Sequence, residues 1–347
     1  MLLWGMLSLR VALENGSSFF YGLGIMETNN TTLSYLPVGI FGAVMGLTGL
    51  AVAWRLAHLH FGVPLWISQA IGVAAIAVFV ALMLAYGVKA YAGWDAVRAE
   101  FQHPIASNLF GTPMISLLLL PLVLADYSLA LARLSWLLGA VGMTTLAWVI
   151  VLRWLTLRQT ATHIAPAWIV PVVGMLDVPL AVPALQWQGL HEVMVFGLAV
   201  GLFFAVPLFT LIFQRLALEE ALPAPLQPSL LILVAPFAVG FSAYVTTTGH
   251  IDLFAQALYM LMLFVLAVLL GRLRHLPQCS PFRVSWWAAS FPLAASAGAA
   301  IRYAGQAANP VADAIALLLL AIASVTIVAF LAQTLGGVAR GRLKALA

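Results

Sequence analysis

The chain has 347 residues, of which 64% are hydrophobic and only 7% charged, with a mean hydropathy of +1.07. A soluble core of this length does not need so much apolar surface, so the composition excludes a soluble enzyme or binding module and indicates a polytopic membrane protein. The formal charge of +4 and pI of 9.5 come from scattered loop residues rather than a basic run, which argues against a nucleic-acid partner.

The first stretch, MLLWGMLSL, is apolar but short, with no basic residue before it and no clear small-residue cleavage site, so a signal peptide is not the expectation. Met26, just before the first long apolar segment, is the expected biological start. Asn29 and Asn30 each open an Asn-x-Thr sequon, which is expected to go unused on the cytoplasmic side. About ten apolar segments follow, at 35–54, 65–88, 105–125, 128–152, 167–185, 192–214, 229–248, 252–271, 284–303 and 311–335. Each is near the roughly 20 residues that cross a bilayer as a helix. The expected fold class is therefore all-α integral membrane. Residues 1–34 form an N-terminal cytoplasmic segment, 35–336 the membrane domain and 337–347 a basic cytoplasmic tail.

Loop charges give the orientation. With the termini and every second loop on one side, that side collects Arg10, Lys89, Arg98, Arg153, Arg158, Arg215, Arg272, Arg274, Arg283, Arg340, Arg342 and Lys344, while the other keeps Arg55, Arg133 and Arg302. The positive-inside rule then places both termini in the cytoplasm. The single cysteine, Cys279, rules out an intrachain disulfide and makes a thiol-based metal site unexpected. His58 and His60 lack acidic or cysteine partners nearby in the sequence, so no metal site is expected, nor any cofactor.

Two sets of prolines organise the chain. Pro37, Pro104, Pro166, Pro228 and Pro281 each stand shortly before or at the start of an odd-numbered segment, at intervals of roughly 60 residues. Proline suits the first turn of a helix, where its missing N–H is not needed. This spacing reads as five parallel helical hairpins, an inner ring of odd helices with even helices outside. The second set falls within the odd segments: Pro113, Pro171 with Pro179, Pro236 and Pro292. Proline in a helix interior removes a hydrogen bond and kinks the helix. In lipid the freed carbonyls need partners, so such helices are expected inside the protein or beside a water-filled path. The first segment has Gly39, Gly42, Gly46 and Gly49 instead, which permit close backbone approach.

Four stretches carry a family resemblance: VSWWAASFPLAASAGAAIRYAG (284–305), VRAEFQHPIASNLF (97–110), LPVGIFGAVMGLTGLAVAW (36–54) and LVAPFAVGFSAYV (233–245). In this order and spacing they resemble the bacterial tellurite-resistance and C4-dicarboxylate transporter family, which includes the plant slow anion channels. The likeness extends over roughly 35–340. It implies ten helices in five hairpins, a central pore and a homotrimer in the bacterial inner membrane. It also implies a gate formed by the phenylalanine beside the ninth-helix proline, here Phe291.

The kink at Pro292 can aim the Phe291 ring across a narrow path, and a hydrophobic constriction can gate by dewetting. Few cations lie in the apolar segments, so weak hydroxyl sites are expected along the pore. Ser242, Ser290 and Ser296 are the candidates on proline-containing inner helices. Arg302 either attracts anions or reaches to headgroups. Asp177, between Pro171 and Pro179, departs from the apolar or neutral residues usual in the matching family stretch. An acid within a membrane segment costs roughly 2.5–3.5 kcal/mol on insertion scales, and three readings stay open: structural, proton coupling and pore electrostatics. The leading expectation is a passive channel for small monovalent anions. The alternative is a carrier, with or without proton coupling, for C4-dicarboxylates such as malate, or for sulfite or tellurite. No nucleotide loop, zinc-protease motif or nucleophile–base set points to an enzyme.

Overall fold

The computed structural model describes residues 33–220, 222–274 and 281–347. Arg10, Met26, Asn29, Asn30, His275 and Cys279 lie outside them. Among the described residues the chain is helical throughout, with helix α1 over Val38–Phe61, α2 over Leu65–Ala92, α3 over Ala106–Leu124 and α4 over Leu129–Thr156. A short apolar helix, α5, covers Pro166–Asp177. Then come α6 (His191–Leu218), α7 (Ala224–Thr248), α8 (Leu253–Leu273), α9 (Val284–Ala307) and α10 (Pro310–Ala339). All but α5 are long and apolar enough to cross a membrane, so among the described residues nine such helices stand where the sequence leads one to expect ten. The fifth segment is not a continuous helix. After Asp177 the backbone turns and makes a separate 3₁₀ turn at Val182–Leu185. Pro171, Pro179 and Pro183, close together, remove the donors that a straight helix would need.

Burial alternates along the chain. In α1, α3, α7 and α9, 61–78% of the central residues are buried, against 11–33% in α2, α4, α6, α8 and α10. Every residue of α5 is buried. Each buried segment packs on the exposed helix that follows it: α1 on α2, α3 on α4, α5 on α6, α7 on α8 and α9 on α10. Among themselves, α1 contacts α3 and α9, α5 contacts α3 and α7, and α7 contacts α9.

All five buried segments share a backbone plan. Each starts with 3₁₀ turns and continues as an α-helix: Val38–Phe41 then Gly42, Ala106–Phe110 then Gly111, Pro166–Ile169 then Val170, Ala224–Val234 then Ala235, and Val284–Ala289 then Ser290. Four prolines of the second set sit at this junction and not in the middle of an α-helix, while Pro179 lies in the turn after Asp177. Pro171 and Pro236 are second residues of the α-helical part, and Pro113 and Pro292 are third. The physical reason is a count of donors. A 3₁₀ turn bonds each N–H to the carbonyl three residues back, and an α-helix to the carbonyl four back. At the switch, one N–H has no carbonyl of its own. Proline supplies the residue with no N–H, so no buried N–H is left without an acceptor. Just ahead of the prolines the bonding is still three-back: Val170 donates to Ala167, Ala235 to Ile232 and Ser290 to Trp287. α6 also contains a proline, Pro207, and continues through it.

The link between α2 and α3, whose charges the sequence assigns to a loop, holds a helix, Trp94–Gln102. Glu100 on this linker helix accepts hydrogen bonds from the Val38 backbone N–H (2.6 Å) and the Tyr86 hydroxyl (2.9 Å), and pairs with Lys89 Nζ (2.6 Å). Lys89 also donates to the Leu36 carbonyl at 2.6 Å. It is therefore buried within α2, not a free loop cation. Arg153 of α4 donates to the Phe101 and Gln102 carbonyls at the end of the linker helix. Together these bonds hold the linker helix against the start of α1.

The tightest approach is α1 against α9. A Cβ added at Gly46 would overlap the Ser290 side chain, and one at Gly42 would lie 3.1 Å from the Trp287 carbonyl oxygen. Gly87 on α2 faces open space. Gly46→Ala should therefore lower stability by about 1–3 kcal/mol through overpacking. Gly87→Ala should be neutral or gain up to about 1 kcal/mol from helix propensity. Thermal melting of the two variants in one detergent compares them directly, and equal melting temperatures would contradict the assigned α1–α9 contact.

Candidate functional site

Among the described residues, two of the cavities are lined by the buried segments. The larger, about 210 Å³, lies toward the 3₁₀ ends of the segments, and its wall draws on all five: Met45 of α1, Ile115 of α3, Asp177 of α5, Val239 of α7 and Phe291 of α9. The smaller, about 50 Å³, lies toward the opposite ends and is lined by Gly49, Leu119, Val239, Ser242, Phe291 and Arg302 among others. Phe291 and Val239 are the two side chains common to both walls. Phe291 is 6% exposed. Its position follows from α1, because a Cβ at Gly49 would come within 3.3 Å of the ring. Glycine at that position leaves room for the ring beside α1.

Sequence candidates for the hydroxyl sites separate on geometry. Ser242 lines the smaller cavity. Ser290 and Ser296 line neither of the two. The Ser290 hydroxyl lies within donor distance of the Gly42 (3.0 Å) and Trp287 (2.7 Å) carbonyls, and the Ser296 hydroxyl donates to the Pro292 carbonyl at 2.7 Å. Both are fully buried. A hydroxyl on a helix readily bonds the carbonyl four residues back, and for Ser290 the crossing partner ties α9 to α1. Sequence spacing does not reveal the direction of these side chains.

Pro113 and Pro236 fix the backbone of α3 and α7 but do not line the larger cavity. Pro292 does line it, directly after Phe291. Asp177 closes α5 with its side chain in the wall of the larger cavity. It is 2% exposed, and its Oδ1 has no hydrogen-bond partner among the described residues. Among the described residues, no other ionisable side chain lines that cavity.

Sequence reasoning missed the linker-helix cluster around Glu100, although Val97 and Phe101, four residues apart, give the linker one apolar face. It also left Arg302 undecided. That residue lines the smaller cavity, and its Nη1 lies 3.3 Å from Thr246 Oγ1. His60 pairs with Asp313 at 2.7 Å and lines neither cavity.

Apolar helices, alternately buried and exposed, around cavities that one aromatic ring borders on both sides define a multi-pass membrane protein. The chain belongs to the family described as voltage-dependent anion channel, SLAC1, whose profile matches residues 35–335. The family consists of anion channels and transporters, not enzymes. The chain is 30% identical to the S-type anion channel SLAH3 of Arabidopsis thaliana over 313 residues, 86% of this chain and 48% of that protein. It is 27% identical to the guard cell S-type anion channel SLAC1 of the same plant, over 86% of this chain and 55% of that protein. It thus spans about half the length of these plant relatives. A tellurite resistance protein TehA homolog of Haemophilus influenzae is 27% identical over 80% of this chain and 84% of its own length.

Ser296→Ala removes only a bond internal to α9. It should lower stability by less than about 1.5 kcal/mol and leave anion flux in proteoliposomes unchanged. A selective flux change at normal stability would mean that Ser296 reaches the conduction path.

Proposed function

We propose that this protein is an anion channel that conducts small monovalent anions through a pore closed by Phe291. The observation that carries this reading is the position of Phe291 in the walls of both cavities. A ring between two cavities is a hydrophobic constriction, and its rotation would join them. The membership of the chain in a family of anion channels and transporters supports the anion as the permeating species.

In this reading residues 35–336 form five parallel hairpins. The segments α1, α3, α5, α7 and α9 form an inner ring around the pore, and Pro113, Pro171, Pro236 and Pro292 set its backbone. The alternation of burial and the contacts between successive buried segments support the ring. The proposed setting is the bacterial inner membrane, as a homotrimer with one pore per subunit and with both termini cytoplasmic. Residues 1–34 and 337–347 are proposed as cytoplasmic flanks.

Phe291→Ala should raise anion current through the reconstituted protein several-fold without changing its oligomeric state. Unchanged conductance from a normally assembled variant would refute the gate.

Asp177 supplies a second, separable test. Its charged carboxylate in the larger cavity repels anions, and the protonated form does not. Anion flux should therefore rise as pH falls through the titration of this group. Asp177→Asn should show high flux at every pH. If instead a proton gradient drives saturable malate uptake that Asp177→Asn abolishes, the carrier reading replaces the channel. A pH profile identical in wild type and variant would remove Asp177 from both readings.

A further inference from the structure

The face of α9 that carries Phe291 continues to Arg302. Ala294, Ala295, Gly298 and Arg302 all line the smaller cavity with Phe291, and the spacing of eleven residues from Phe291 to Arg302 is just over three helical turns, about 16 Å. The small residues at the intermediate turns keep that face open. On α7 the same cavity is lined by Val239 and Ser242. Thr246, one turn beyond Ser242, donates its hydroxyl proton to the Ser242 carbonyl at 2.7 Å. Its oxygen is then left to accept from Arg302.

This arrangement holds the guanidinium but does not neutralise it. Thr246 is its single hydrogen-bond partner among the described residues, and no carboxylate there lies within ion-pair distance. A guanidinium has five N–H donors, so most of those on Arg302 are unspent. Ser242 likewise has no side-chain partner among the described residues. The remainder of the wall is apolar. A cation beside an apolar cavity, with free donors and a free hydroxyl, has the chemistry of an anion site.

We propose that Arg302 and Ser242 form a binding subsite for one monovalent inorganic anion, on the side of Phe291 away from the larger cavity. Thr246 positions the guanidinium. The subsite rests on the anion-transport reading and refines it by naming the charge class. One cation faces a cavity of about 50 Å³, so a halide or nitrate is fully compensated there. A dicarboxylate would bring a second charge with no counterpart in the wall.

The test uses chloride as the probe and two readouts on the full chain. The first is the broadening of the ³⁵Cl resonance by purified protein in detergent. The second is the chloride dependence of current in the Phe291→Ala background. In wild type the broadening should saturate, and Arg302→Gln should raise the half-saturating chloride concentration about tenfold, the loss expected for a charge-assisted hydrogen bond. Arg302→Lys, which keeps the charge, should recover much of the affinity. Ser242→Ala should weaken binding by a smaller factor and guards against misfolding of the arginine variants. Malate at equal concentration should not displace chloride. In the open-gate background Arg302→Gln should shift half-saturation of the current in the same direction.

Equal broadening in wild type, Arg302→Gln and Ser242→Ala would overturn the subsite, and stronger displacement by malate would overturn its monovalent class. If Phe291→Ala passes no current, the gated channel fails, while the broadening still decides the subsite. If Phe291→Ala conducts and Arg302→Gln alters neither readout, the subsite fails and the channel stands.

Discussion

Buried backbone must find its hydrogen bonds within the protein when the surroundings are lipid. That constraint shapes this molecule most where α3, α5, α7 and α9 change from 3₁₀ to α-helical bonding. The change leaves one donor too many, and a proline at the junction removes it. The same device recurs at Pro113, Pro171, Pro236 and Pro292. In α3, α7 and α9 the prolines are therefore compatible with continuous buried segments, and the strain expected of a mid-helix proline need not arise. α1 makes the same change without proline, at Gly42, whose N–H lies toward the Gly39 and Ile40 carbonyls.

Packing follows from these segments. Glycines on α1 let α9 approach until Ser290 bonds across to the Gly42 carbonyl. Phe291, the next residue, is thereby set against Gly49, where its ring borders both cavities. The exposed even-numbered helices are a different kind of element. Their apolar side chains need only to be soluble in lipid, and their contacts fall mainly on one face. The linker helix adds a clamp at the 3₁₀ end: Glu100 accepts from the first turn of α1 while paired with buried Lys89. A carboxylate at a helix start compensates both the free N–H and the positive end of the dipole.

Much of this was legible in the chain. Composition alone gives a membrane protein, and proline spacing gives the alternation of buried and exposed segments, because both depend on local chemistry. The fifth segment was misread as one helix because hydropathy counts apolar residues and does not register three closely spaced prolines as breaks. Ser290 and Ser296 were chosen by residue type and helix, but a hydroxyl on a helix has two places to bond, and only the packed neighbour settles which. Arg302 was visible as a membrane cation, and its partner Thr246 lies 56 residues away, beyond any sequence periodicity. Lys89 was counted among loop charges because its acidic partner, on the linker helix, had no recognised place.

The sequence by itself determined the solvent of this protein, the number of apolar segments to within the broken fifth one, the positions of the proline junctions and the family. These depend on transfer energies and backbone valence, which each residue carries with it. Tertiary structure alone decided which side chains face a cavity. Phe291, Ser290 and Ser296 share one helix and differ by a few residues, yet one borders two cavities and two bond to carbonyls. That outcome depends on how closely α1 approaches α9, a distance set by glycines more than 240 residues away in the chain.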